Sequence, residues 1–276
     1  MNNSNEINIA QKLIRCKSIA PKSDSALKIV EKECKSIGFK CKKLRFSEKG
    51  YDSISNLYAE IGNGSPHFSF AGHVDVVPAN KKDWSVDPFK GIIRKGFLWG
   101  RGAVDMKSAV ACFLSASKMY LKENKNFKGK ISLLVTGDEE QYAKNGTVKV
   151  LQWLKKKKIK INNCLVGEPT NLDVLGDQIK IGRRGGYNGI VTVYGKEGHS
   201  AWPSRTKNPV SALIKMLTKI DKKTLDRGTK HFQPSIISIT SIDVGNEALN
   251  VIPAMAQGSF NIRFNTKHSV KSITNW

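Results

Sequence analysis

Long apolar runs are missing from this sequence. No stretch approaches the roughly 18 residues that a bilayer-crossing helix needs, so no membrane segment is expected. The N-terminal MNNSNEINIAQKLIRCKS lacks a basic region followed by an apolar run, so no signal peptide is expected either. Cysteine is sparse and odd in number: Cys16, Cys34, Cys41, Cys112 and Cys164 are scattered, with no CxxC pair. That excludes a disulfide framework and predicts free thiols in a reducing cytoplasm. Acidic residues are few, 23 against 46 basic ones, which leaves a formal net charge of +23. Zinc-finger spacing and aromatic-interleaved ribonucleoprotein motifs are absent. The lysines are spread along the whole chain, and the one dense run, at 155–158, closes a predicted helix where cations favour the dipole. A solvated basic surface therefore accounts for the charge, and nucleic acid is not an expected partner. Such a surface can still steer acidic small molecules.

What remains is an ordinary globular composition, 39% hydrophobic and 25% charged over 276 residues, long enough for two domains. Helices are expected at about 4–16 and 24–37, the second capped by Ser23 or Asp24 and stopped by Gly38. Strand patterns follow in FKCKKLRF, NLYAEIG and HFSFAGHV, with short strands near GIIRKG and FLWG. A long amphipathic helix covers about 106–123, and another about 146–158. KISLLVTG and NCLVGEP read as strands buried on both faces. This alternation predicts an α/β domain over 1–178, with a mixed, largely parallel sheet and helices on both faces.

Near residue 180 the texture changes. GYNGIVTVYGKEG, NPVSALIKMLTKID, PSIISITSIDVG and MAQGSFNIRFN read as β-α-β-β, the opening of a ferredoxin-like α+β unit over 179–276. A second helix and a last strand are expected to complete it. The sequence instead stops at KHSVKSITNW, and so reads as C-terminally truncated.

Polar residues interrupt the apolar strands at matching places. SFAGHVDVVP ends its strand in His73 and Asp75; GRGAVDMK puts Asp105 just before the long helix. TGDEEQ places Asp138, Glu139 and Glu140 directly after one strand, and VGEPT places Glu168 after another. In open α/β sheets functional groups gather at the carboxyl ends of strands. Carboxylates crowded there stay ionised together only with a cation. One His with several Asp and Glu suits zinc or a similar divalent metal, and a two-metal hydrolytic site needs a bridging carboxylate and a base.

GHVDVVP, Trp84 with DPF, GRGAVDMK, TGDEE and VGEPT together resemble the zinc-dependent aminoacylase and carboxypeptidase superfamily of metallohydrolases. LGDQIKIGRRGGYNGIVTVYGKEGHSAWP, followed by NPV, is similar more narrowly to members that release succinate from N-succinyl-LL-2,6-diaminopimelate. The resemblance spans about residues 8–265. It implies that His73 and Glu168 hold one zinc, Glu140 the other, and Asp105 bridges them, with cobalt able to substitute. Asp75 would orient His73, and Glu139 would be the general base. The second domain would be a lid and homodimer interface, its His199 stabilising the oxyanion in the partner subunit's site. Arg183, Asn250 and Arg263 would grip substrate carboxylates. The resemblance also implies one more His ligand on a segment returning to the first domain, which this sequence does not reach. Neither His231 nor His268 has the right setting. Related deacylases or dipeptidases, such as an acetylornithine deacetylase, and an inactive remnant that binds one metal or only dimerises, remain open as alternatives.

Overall fold

The computed structural model describes residues 4–275. It divides into two compact units, one ending at Asp173 and one beginning at Val174.

The first unit opens with α1 (Asn5–Arg15) and α2 (Asp24–Ile37), then β1 (Lys40–Phe46), β2 (Ile54–Asn63) and β3 (His67–His73). Gly38 ends α2 at φ 102°, a left-handed cap that only glycine adopts without strain. Ser23 stands at the N-cap, but its hydroxyl donates to Gly137 O instead of capping the helix, which corrects the expected side-chain cap. A short hairpin of β4 (Ile92–Arg94) and β5 (Phe97–Trp99) precedes a tight turn over 103–107 and α3 (Ser108–Glu123). β6 (Gly129–Thr136), α4 (Thr147–Lys156) and β7 (Asn163–Val166) complete the unit.

Five strands form one mixed sheet in the order β1-β2-β6-β3-β7. β3 runs parallel to β6 and β7, whereas β1 and β2 are antiparallel to their neighbours. Strand alternation sends Leu57, Ala59, Leu133 and Val135 to one face, where α1, α2 and α3 cover them with Ile9, Leu13, Val30, Val110 and Leu114. Tyr58 and Leu134 face the other side, under Val150 and Leu154 of α4. β6 is thus buried on both faces.

β7 departs from its expected burial. All four of its residues are exposed, Leu165 by 51% and Val166 by 56%. It pairs with β3 alone, at the edge of the sheet, so its apolar side chains have no cover among the described residues.

The second unit holds β8 (Gly185–Tyr194), β9 (Gly198–His199), α5 (Pro209–Asp221), β10 (Ile236–Asp243), β11 (Val251–Ile252), β12 (Met255–Phe264) and α6 (Val270–Thr274). Its antiparallel sheet runs β10-β12-β8, with α5 packing Leu213 and Leu217 onto Ala256. Asn208 caps α5 by accepting from the amides of Val210 and Ser211, and Pro209 occupies the first turn.

Candidate active site

Register decides which residues meet. His73 lies opposite Thr136 across the parallel β3–β6 pair, and Ala71 lies opposite Val166 across β3–β7. The carboxyl ends of three neighbouring strands are therefore level. His73 closes β3, the Asp138–Glu140 loop leaves β6, and Glu168 follows β7 by two residues. Asp105 arrives from the turn before α3, where Gly102 adopts φ 81° and a Cβ would come within 2.7 Å of Val76 Cγ1.

His73 Nε2 lies 3.0 Å from Asp105 Oδ1, 3.5 Å from Glu168 Oε1 and 3.9 Å from Glu139 Oε2. Ligand atoms of His73, Asp105 and Glu168 all fall within 4.8 Å of one another. The imidazole is 1% exposed, and its Nδ1 lies 2.9 Å from the backbone oxygen of Asp75. A carbonyl oxygen can only accept, so Nδ1 carries a proton; Nε2 faces the carboxylates, donating to them in the protonated ring and offering its lone pair to a cation in the neutral one.

Packing around Met106 fixes the same three residues. Its sulfur accepts from the backbone N–H of His73 at 3.3 Å. Its methyl fills the space where a Cβ on Gly72 or Gly167 would stand, 2.5 and 2.8 Å away. His73 and Glu168 each follow one of these glycines, and Asp105 directly precedes Met106. Lys107, fully buried, donates to Leu13 O at 2.9 Å and Cys16 O at 3.0 Å, tying the turn to the end of α1. Burial lowers its pKa to about 8.

Asp75 acts through different atoms than the sequence suggests. Its backbone carbonyl holds the His73 ring, while its carboxylate lies 3.6 Å from Nδ1. The carboxylate instead accepts the backbone N–H groups of Glu139 at 3.0 Å and Glu140 at 2.9 Å. Burial raises its pKa, against the pull of those amides and of His73.

The electrostatics fit a cation. Burial pushes Glu140 above the ordinary carboxylate range, helped by the neighbouring charges of Asp105, Glu139 and Asp75. Burial alone would lower the pKa of His73, but Asp75, Glu168 and Glu139 outweigh it and the net shift is upward. One imidazole lone pair and several carboxylates sharing a proton-hungry pocket form a donor set for a divalent metal. Glu140 is not one of the three residues in the tight cluster.

The remaining candidates lie in the second unit. His199 is exposed on β9, beside β11, and its Nδ1 accepts from the amide of Ala201 at 3.1 Å. In the neutral ring Nε2 then carries the proton, so His199 presents a donor there; Asn250 Nδ2, itself a donor, lies 3.5 Å away and does not accept from it. Arg263 near the end of β12 pairs with Gly186 near the start of β8, and its guanidinium occupies the space beside that glycine. Exposed Arg183 precedes β8 by two residues, at the same end of the sheet.

Sequence reasoning missed the packing role of Met106 and the loop bonds of Asp75. A signal was present for the first: glycine directly precedes the metal-ligand candidate in both GH and GE.

Comparison with known proteins matches residues 69–271 to the peptidase family M20/M25/M40. The chain is 51% identical over 271 residues to the succinyl-diaminopimelate desuccinylase of Parvibaculum lavamentivorans, covering 98% of this chain and 68% of that protein. It is 52% identical over 272 residues to that of Pelagibacter ubique, covering 98% and 71%. Among solved structures, the M20 family metallo-carboxypeptidase Sso-CP2 from Sulfolobus solfataricus superposes with a TM-score of 0.72 at 18% identity, covering 99% of this chain and 74% of that one. At that identity the likeness shows the fold.

Proposed function

Because the chain belongs to peptidase family M20/M25/M40, whose members are metal-dependent hydrolases, we propose that it cleaves the amide bond of N-succinyl-LL-2,6-diaminopimelate. The products are succinate and LL-diaminopimelate, a step in lysine and peptidoglycan-precursor synthesis, in a cytoplasmic setting that suits its free thiols. The observation that carries the hydrolytic reading is the His73–Asp105–Glu168 triangle with Glu139 at its rim. The succinyl substrate is supported by the name shared by relatives about half identical over nearly the whole chain.

His73, Asp105 and Glu168 would hold one zinc ion, for which cobalt can substitute; Asp105 and Glu140 would contribute to a second. Zinc bound there supplies a Lewis acid for the amide carbonyl and lowers the pKa of water. Glu139 removes a proton from the attacking water as its oxygen bonds to the carbonyl carbon. It then returns that proton to the departing nitrogen as the C–N bond breaks. The Nδ1–H bond to the Asp75 carbonyl keeps His73 in the tautomer that leaves Nε2 unprotonated. His199 in the second unit, with its proton on Nε2, is suited to donate to the developing oxyanion of a partner subunit's site in a homodimer. Arg183, Asn250 and Arg263 would bind substrate carboxylates, the arginines bidentately.

Initial rates of amide cleavage with N-succinyl-LL-diaminopimelate and with N-acetylornithine test the reading. Preference for the succinyl substrate, lost on chelation, supports it. Preference for acetylornithine makes the chain a related deacylase, and chelator-resistant cleavage removes the metal from the mechanism.

A further inference from the structure

Asp138 stands next to the Glu139–Glu140 pair in TGDEEQ, yet its carboxylate is not part of the metal-ligand cluster. The residue is 5% exposed. Its Oδ1 accepts the backbone N–H of Ala143 at 3.1 Å and its Oδ2 that of Asn145 at 2.9 Å. Its own N–H donates to Thr136 Oγ1 at 3.2 Å, at the end of β6. The loop from 138 to 145 is thereby folded onto a single buried carboxylate.

Two further observations mark this loop as held in place. Ala143 sits at φ 53°, a left-handed conformation that a residue with a side chain keeps only when its surroundings enforce it. Asp138 bonds the N–H of that very residue. Beyond it, fully buried Asn145 donates to Asp52 O at 2.8 Å, and its own carbonyl accepts from Asn56 Nδ2 at 3.0 Å. Gly146 closes the loop against Asp138, where a Cβ would come within 2.5 Å of the aspartate's carbonyl oxygen.

We propose that Asp138 is the positioning residue of the Glu139–Glu140 pair, clamping their loop from one side through both carboxylate oxygens while Asp75 holds it from the other. The inference rests on the amide-hydrolase reading. Asp75 fixes the two backbone amides of the pair; Asp138 fixes the path by which the chain leaves them. Between these anchors the Glu139 side chain stays exposed and close to the His73 ring. A base displaced by about 1 Å loses on the order of 100-fold in rate, so such a clamp has kinetic consequences.

Asp138→Asn tests this in the full chain, because asparagine offers one acceptor oxygen and sets an NH2 group against the second N–H. Hydrogen exchange by segment and steady-state kinetics on N-succinyl-LL-diaminopimelate are measured together. The proposal expects kcat to fall about 100-fold with KM within about twofold, and exchange to accelerate over 139–145 but not in β6 or α3. Unchanged kcat with the loop loosened overturns it. So does acceleration spread through the whole unit in step with lost activity, which marks a merely structural residue. If the wild type does not cleave the succinyl amide but 139–145 still loosens locally in the variant, the clamp stands and the reading of the reaction falls. Asn145→Ala, which keeps both carboxylate bonds and removes only the tie to Asp52, covers the case in which Asp138→Asn fails to fold. With the Asp138 clamp intact, exchange over 139–145 and kcat should stay as in the wild type; loosening of that segment with loss of kcat, while both carboxylate bonds remain, contradicts it.

Discussion

The sulfur of Met106 accepts the backbone N–H of His73 at 3.3 Å, and the Met106 methyl lies where Gly72 and Gly167 leave room for it. One apolar side chain thus packs against the backbone beside all three residues of the candidate metal cluster. Gly167→Ala would bring a Cβ within 2.4 Å of Phe70 Cζ, and Phe70 cannot retreat because it stacks on Phe113 with ring centroids 4.6 Å apart. The variant should lose about 1–3 kcal/mol of stability and bind divalent metal more weakly, since Glu168 is carried outward with the backbone. Thermal melting and a metal titration check both effects. Full metal affinity in a folded variant would show that Met106 packing does not set the ligand spacing.

Lys107 gives a stability prediction with a defined pH window. Its folded pKa is lowered to about 8 from 10.5 by burial. Between those values the unfolded chain binds more protons, so the free energy of unfolding contributed by this group rises with pH. Below pH 8 the burial penalty is fully present, on the order of 3 kcal/mol. Lys107→Met removes this titration along with the bonds to Leu13 and Cys16. The stability of wild type relative to the variant should be flat below pH 8 and should increase from pH 8 to 10.5. A difference independent of pH throughout would contradict it, and denaturant melts across the range supply the test.

In the second unit Asp226 titrates in the opposite sense. Burial would raise its pKa, but the Ser235 hydroxyl, the amides of Gly228 and Ser235, and the Asn265 side chain outweigh it and hold the carboxyl far below its ordinary value of 3.8. Its contribution to stability is complete above about pH 4 and is lost as pH falls below that range. Asp226→Asn keeps one acceptor oxygen and should lower Tm by a few degrees at neutral pH, with the difference from wild type shrinking in acid. Melting curves from pH 7 down to pH 2 measure it.

Much of the site was legible because its residues break local expectations. His73 and Asp75 interrupt an apolar strand, and Glu139, Glu140 and Glu168 follow two others directly, so strand-end placement alone brings them together. The helices were legible from their periodicity, and α2 ends at Gly38 as its sequence indicates. Features that depend on pairing order were not. Nothing in NCLV distinguishes a central strand from an edge strand, and β7 lies at the edge with its side chains exposed. The bond from Asp75 to the Glu139–Glu140 amides spans more than 60 residues of sequence and requires β3 and β6 to be neighbours. Met106 read as one more apolar helix residue, whereas its meaning lies in two glycines far apart in sequence.

The central claim is a divalent-metal centre built on His73, with Glu139 beside it as base and not as ligand. Titration of the purified chain with cobalt(II), followed by visible absorption, tests it most directly. The account predicts a saturable band in the wild type that persists in Glu139→Gln and disappears in His73→Ala, with both variants folded. Equal cobalt binding in His73→Ala and wild type would contradict it.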